Sequence, residues 1–282
     1  MPPDAVGAAD PATQLERANI LGVGVSALAM AEAVGRIEHW IGAGAREYVC
    51  VTGMHGVMES QSDPALRRIH NRAGMVVPDG MPLVWLSRAA TGRPVERVAG
   101  PDLMPRVLAR SAATGHRHFF YGGAAGVPER LADRCAARLP GLRVAGTYSP
   151  PFRPLSVREE DEVAARIDAA APDVVWVGLS TPKQERWMAR FRPRLRAPVL
   201  IGVGAAFDLH AGLARRAPAW MQRSGLEWAF RLAHDPRRLW RRYVHNIPRF
   251  IALVALQQLG LARYALDDDR VAPPHIGVGI AS

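Results

Sequence analysis

The sequence predicts a doubly wound, Rossmann-like α/β fold with a mostly parallel sheet and a C-terminal helical, arginine-rich appendage. Three observations lead there. Short apolar runs alternate with helical stretches of about 10 to 15 residues, as strands and their covering helices do in a parallel sheet. The runs end at Thr52, Asp79, Gly122-Gly123, Ser180-Thr181 and Gly204 to Asp208, positions that such a sheet gathers along its carboxyl edge. Beyond Ala217 the alternation stops and Trp and Arg take over.

Taken in order, residues 1–17 are rich in Pro, Ala and Gly and read as a loose tail. Ser26 is placed as the N-cap of a helix carrying Ala29, Ala33, Ile37 and Trp40 at helical spacing and stopped by Gly42 and Gly44. Strands are expected at 48–52, 75–77, 118–121, 142–147, 173–179 and 199–203. Helices are expected at 64–73, 82–90, 101–114, 157–170 and 182–191, with another ending at Leu139. The body then spans 18–214, a basic, membrane-proximal appendage 215–265 and a second tail 266–282.

With 282 residues, 49% of them hydrophobic, the chain can bury a full core. Its formal charge of +10 favours an anionic partner, and Lys183 is the only lysine. The excess concentrates in the appendage, where Arg215, Arg216, Arg223, Arg231, Arg237, Arg241 and Arg249 face only Glu227 and Asp235. Leu239, Trp240, Tyr243, Ile247, Phe250 and Ile251 are interleaved with them, a pattern suited to an anionic membrane surface. Cys50 and Cys135 are isolated, which fits a reducing cytoplasm. Neither a secretory signal at residues 1–10 nor an apolar run of about 20 residues is present.

Asp79 lies between Pro78 and Gly80, so its carboxylate is held in a fixed direction, as a catalytic base requires; alternatively it caps the helix that follows. Gly122-Gly123 after a strand resembles a phosphate turn but lacks the full GxGxxG pattern. Lys183, Gln184 and Glu185 open a helix beside the sheet edge. Gln184 there offers a donor and an acceptor to a uracil or sugar edge, or else the stretch is an ordinary helix start. Asp208 is a second strand-end acid, or a loop carboxylate paired with Arg215 or Arg216. His55, close after the Thr52 strand end, is the histidine best placed for a site, although a lone His is more often structural, and no HExxH occurs, so no metal and no cofactor is demanded.

Five stretches in series add a more specific signal. They are Val76-Val77-Pro78-Asp79-Gly80-Met81, Arg97 to Leu103, Gly178 to Glu185, Gly202 to Asp208, and Arg216-Ala217-Pro218 with Gly225-Leu226-Glu227-Trp228. Over residues 21–243 their order and spacing closely resemble the WecG/TagA/CpsF family of glycosyltransferases. The resemblance implies an inverting transfer of an N-acetylhexosamine, typically N-acetylmannosamine, from a UDP-sugar to a polyprenyl-diphosphate-linked acceptor. That chemistry sits at the cytoplasmic face of the membrane and builds cell-surface polysaccharide. On that pattern Asp79 is the general base, Arg97 lies against the diphosphate and Thr52 positions the reacting sugar. Gln184 and Asp208 are nucleotide or sugar contacts, and the arginines from Arg216 through Arg223 and Arg231 close over the diphosphate. Many relatives carry Asn two positions after the strand-end Thr, where this chain has Met54, and His55 is the candidate replacement.

The chemistry agrees with this reading. An attacking hydroxyl needs its proton removed, and departing UDP needs its charge stabilised, which a carboxylate and several arginines supply without metal. A nicotinamide-dependent oxidoreductase would explain the α/β body but lacks the fingerprint and its trailing acid. A nucleic-acid-binding protein would explain the charge, but no recognised module is present, so no nucleic-acid partner is expected.

Overall fold

A computed structural model describes residues 15–266. The chain opens with two short strands, β1 (Arg17–Ile20) and β2 (Val23–Ser26), paired antiparallel in their own two-stranded sheet. Leu21 and Gly22 turn between them at φ 52° and 82°, the pair of positive angles that a tight two-residue hairpin needs. This hairpin corrects the expected N-terminus. Arg17 belongs to a strand rather than a tail, and Ser26 is not a helix cap: its buried Oγ accepts from Val76 N at 3.0 Å. The cue was weak because the strands have four residues each and the turn is Leu-Gly rather than Asn-Gly.

Helix α1 (Met30–Ala43) follows, its entry satisfied by Glu32, which accepts from Ala29 N at 2.7 Å, and its exit by left-handed Gly44. The main sheet then begins. In chain order its elements are β3 (Glu47–Thr52), α2 (Met54–Ser62), α3 (Pro64–Arg72), β4 (Met75–Pro78), α4 (Met81–Thr91) and α5 (Gly100–Thr114). Next come β5 (Arg117–Gly122), α6 (Val127–Arg138), β6 (Arg143–Tyr148) and α7 (Val157–Ala170). The body closes with β7 (Val174–Gly178), α8 (Lys183–Phe191), β8 (Val199–Gly202) and α9 (Ala206–His210). Helix α2 was absent from the sequence expectation, because Met54 to Ser62 is only weakly amphipathic.

All six strands of this sheet run parallel in the order β4-β3-β8-β7-β5-β6. The doubly wound α/β expectation is met. Strands such as Val49-Cys50-Val51 and Val174-Val175-Trp176-Val177 are buried because helices cover both faces. The chain reverses its direction of travel across the sheet near β3/β8 and β5/β7, which opens a crevice at the carboxyl ends of those strands. Gly178 lets α9 approach there: a Cβ on it would lie 2.6 Å from the Phe207 ring.

Three further helices, α10 (Ala219–Arg223), α11 (Glu227–His234) and α12 (Pro236–Gln258), form the C-terminal region. The long α12 is fastened to the body. Phe250 is 5% exposed within the core, and Gln257 donates to Asn19 O at 2.9 Å while its Oε1 accepts from Leu21 N at 3.0 Å. In this region Trp228 and Trp240 stay 38% and 48% exposed, while Leu239 is buried.

Candidate active site

Pro78 ends β4 opposite Thr52 on β3, and Asp79 continues the ladder by donating from its N–H to Thr52 O at 2.9 Å. The N-cap of α4 is Gly80, with no side-chain cap bond, so the Asp79 carboxylate does not cap that helix. It turns toward β3 instead: Oδ2 lies 3.8 Å from where a Cβ on Gly53 would stand. Burial raises its pKa above the ordinary carboxylate value. Arg231 and Arg97 pull it back down, and Glu227 and Asp102 push it up again.

Arg97 organises what surrounds this carboxylate. Its Nε donates to the Asp79 carbonyl at 2.6 Å, Nη1 to Gln222 Oε1 at 3.2 Å, and Nη2 to Glu227 Oε2 at 2.6 Å. Nη1 also lies 3.5 Å from Asp102, which accepts a two-pronged bond from Arg216 at 2.7 and 2.5 Å. Glu227 completes the set by accepting from Arg231 at 2.7 Å. The strand-end loop, the start of α5 and the appendage helices α10 and α11 thus meet in one alternating charge network around Asp79.

A second polar group lies at the ends of β7 and β8. The turn into α8 passes through Ser180 at φ 63° and a cis Thr181-Pro182 bond. Glu185 is fully buried, and its Oε1 accepts from Thr181 Oγ1 at 2.8 Å and Gln184 Nε2 at 3.1 Å. Gln184 lies against Gly202 and Gly204, where a Cβ would come within 3.1 Å of its Cδ and 3.4 Å of its Oε1. Thr52 Oγ1, His70 Nε2, Gln184 Oε1 and Glu185 Oε2 are buried here without hydrogen-bond partners. A Cβ on Gly56 would touch Thr52 Cγ2 at 2.8 Å and His70 Nε2 at 3.6 Å, so β3, α2 and α3 converge on the same floor.

The structure therefore brings Asp79, Arg97, Thr52, Gln184, Arg216 and Arg231 to the carboxyl edge of the sheet, in these two groups. Other expected residues stand differently. The Gly123 N–H is spent on Gly178 O at 3.0 Å, and a Cβ on Gly122 would strike the Gly178 backbone at 2.8 Å. Lys183 is exposed, with Nζ 5.0 Å from the Phe152 ring. Asp208 is exposed on α9, and of Arg215 and Arg216, its alternative partners, Arg216 takes Asp102 instead. Arg223 is exposed on α10. His55 sits 3.6 Å from Glu59 in a groove of about 670 Å³ shared with Thr181, Trp240, Val244 and His245.

Asp102, Gln222, Glu227, Thr181, Glu185 and His70 were not singled out as site residues from the sequence. Asp102, Thr181, Glu185 and Glu227 lay inside recognised motifs, which was the one available signal. Among the described residues, no three His, Cys, Asp or Glu side chains converge to hold a metal ion.

This arrangement offers a partly buried carboxylate of raised pKa, adjoining arginines, and a pocket floor of unpaired polar atoms. It can accept a proton from a hydroxyl while positive charge faces a departing anion. Residues 18–264 match the family model described as Glycosyl transferase WecG/TagA/CpsF family. A protein of Bacillus spizizenii strain W23, an N-acetylglucosaminyldiphosphoundecaprenol N-acetyl-beta-D-mannosaminyltransferase, is 34% identical over 73% of this chain and 77% of its own length. One of the same name from Bacillus subtilis strain 168 is 34% identical over 66% of this chain and 70% of its own. The chain belongs to the WecG/TagA/CpsF family and is a glycosyltransferase.

Proposed function

We propose that the protein moves N-acetylmannosamine, or a closely related N-acetylhexosamine, from a UDP-sugar to a polyprenyl-diphosphate-linked acceptor at the inner face of the cell membrane. The observation that carries the mechanism is the Asp79 carboxylate, raised in pKa by burial and lying in the field of Arg231 and Arg97, the latter bonded to the Asp79 main-chain carbonyl. Asp79 takes the proton of the attacking acceptor hydroxyl as it reaches the anomeric carbon, giving inversion. The leaving diphosphate gathers charge opposite Arg97 and Arg231, with Arg216 and the exposed Arg223 completing the positive wall. Thr52 and Gln184 hold the sugar or uracil edge, because each keeps a buried oxygen in want of a partner. Asp208, Lys183 and His55 flank the pocket as outer substrate contacts.

Residues 215–265 act as an appendage that completes the site and lies on the membrane. Its long helix exposes Trp240, Val244, Ile251 and Leu256 beside Arg241 and Arg249, apolar and cationic groups suited to an anionic bilayer. No helix of the described residues is long and apolar enough to cross a membrane. Transfer is independent of metal because arginines hold the diphosphate.

The test is an assay of purified protein with a panel of UDP-sugars and a short-chain polyprenyl-diphosphate N-acetylglucosamine acceptor, with and without chelator, beside Asp79→Asn. Transfer from UDP-N-acetylmannosamine that survives chelator and is lost in Asp79→Asn, with UDP binding kept, is expected. Full activity in Asp79→Asn overturns the base, and loss with chelator overturns the arginine account.

A further inference from the structure

Glu185 has no use in the mechanism above, yet its carboxylate is completely buried at the floor of the site. Among the described residues no arginine or lysine pairs with it; its bonds come from two neutral donors, Thr181 Oγ1 and Gln184 Nε2, both on Oε1. Burying a carboxylate on such terms costs stability, and an apolar residue would pack there more cheaply. A second histidine-lined side does not neutralise it: His70 directs Nδ1 to Leu66 O at 3.1 Å and Ser60 Oγ at 3.2 Å, leaving Nε2 unpartnered.

What the carboxylate does is orient an amide. Glu185 Oε1 accepts from Gln184 Nε2, so the amide turns its nitrogen toward the carboxyl and its Oε1 away. The opposite orientation would set two acceptor oxygens against each other. Gln184 Oε1 is thereby aimed past Gly204 and Ser180, buried and unpartnered, at the carboxyl end of β8. The same carboxylate ties the Thr181 hydroxyl, and with it the turn that carries Ser180 at positive φ. Gly202 and Gly204 leave the room for Gln184 to lie flat across the strand end.

We propose that Glu185 is a positioning residue: it fixes the Gln184 amide so that its carbonyl oxygen receives a hydrogen-bond donor of the sugar nucleotide, either the uracil imide N–H or a sugar hydroxyl. This rests on the UDP-sugar reading given above. Glu185 touches no substrate and acts only through Gln184 and Thr181.

The test uses the full chain. In Glu185→Gln the side chain keeps its shape but can donate as well as accept, so Gln184 is free to flip. The expected result is a rise of about tenfold in the donor KM with kcat within about threefold of wild type, and a melting temperature that does not fall. Calorimetry with UDP alone then tells the two donors apart. Weaker UDP binding assigns the uracil edge, and unchanged UDP binding with a raised KM assigns a sugar hydroxyl.

A double-mutant cycle separates positioning from general packing: in a Gln184→Ala background, Glu185→Gln should have almost no further effect on KM. Thr181→Ser should stay near wild type where Thr181→Val does not. A donor KM and UDP affinity within twofold of wild type in Glu185→Gln, or fully additive effects in the cycle, overturn the proposal. If the wild type neither binds UDP nor transfers from any UDP-sugar, the donor reading falls and this inference with it; if the wild type turns over normally, failure belongs to Glu185 alone.

Discussion

Arg97 donates its Nε–H to the main-chain carbonyl of Asp79 at 2.6 Å, and the remaining prongs of the same guanidinium hold Gln222 and Glu227. One side chain therefore fixes the strand end that bears the proposed base and latches the appendage over it. A lysine has a single nitrogen head and cannot serve those partners together. Arg97→Lys should lower kcat/KM by about 10²-fold, in the range of losing a fixed electrostatic contact. Timed proteolysis should also cut the chain sooner between α10 and α12. Wild-type digestion and kinetics in Arg97→Lys would refute the latch.

Asp79 gives a pH signature. Burial raises its pKa, so kcat/KM should climb with pH along a limb centred above the ordinary carboxylate value of about 4. Asp79→Asn should remove that limb and about 10²- to 10⁴-fold of turnover. Stability should move the other way. Because the folded pKa exceeds the unfolded one, the folded state loses stability as pH rises through that interval. Asp79→Asn should therefore melt no lower than wild type, and by this reasoning higher, at pH 7. A melting point that drops with the substitution would contradict the raised pKa.

His118 answers to acid. It is fully buried, its Nδ1 accepts from Trp176 Nε1 at 3.0 Å, and burial pushes its pKa down to about 3. The unfolded chain takes up that proton near pH 6.5, so the stability due to neutral His118 is present above pH 6.5 and is lost as pH falls toward about 3. Urea midpoints should fall from pH 6.5 to 4 more steeply in wild type than in His118→Gln, which can still accept from Trp176. Parallel slopes would show that other groups govern acid unfolding.

Gly178 is where β7 and α9 touch. With a Cβ only 2.6 Å from the Phe207 ring, Gly178→Ala must displace that ring, at about 1 to 3 kcal/mol. Denaturant melts should show this cost, and Phe207→Leu should relieve part of it in the double variant. Simple additivity would mean the two residues do not press on each other.

The exposed face of α12 should govern membrane binding. Ile251→Glu with Leu256→Glu replaces two exposed apolar groups, 61% and 39% exposed, without touching the charge network at Asp79. Flotation with vesicles containing anionic lipid should fall severalfold, and turnover of a long-chain acceptor should fall with it while a water-soluble acceptor is spared. Equal flotation of the two proteins would remove the membrane role from this face.

The body was legible because each of its signals is local. Short apolar runs and the helical stretches between them reproduce the observed strands and, α2 apart, the helices from β3 to β8 within a few residues, and Ser156 with Glu159 marks the start of α7 openly. The hairpin of β1 and β2 was hidden because it is held by packing against α4, β4 and α3 rather than by its own eight residues. Asp79 as a cap or a base was open in the sequence, since Pro-Asp-Gly suits either; the backbone gave the N-cap to Gly80.

By itself the sequence determined the alternating order of elements, the polar residues at the strand ends and the concentration of arginine after residue 214, because local propensity and charge are written residue by residue. Only the tertiary structure decided which charges meet. Arg97 lies 130 residues from Glu227, and Arg216 lies 114 from Asp102 rather than beside the nearer Asp208, contacts made when the appendage folds back over the sheet edge. It also decided that the Glu185 carboxylate points inward, since whether a helix's first-turn acid faces water or the core depends on what packs against it.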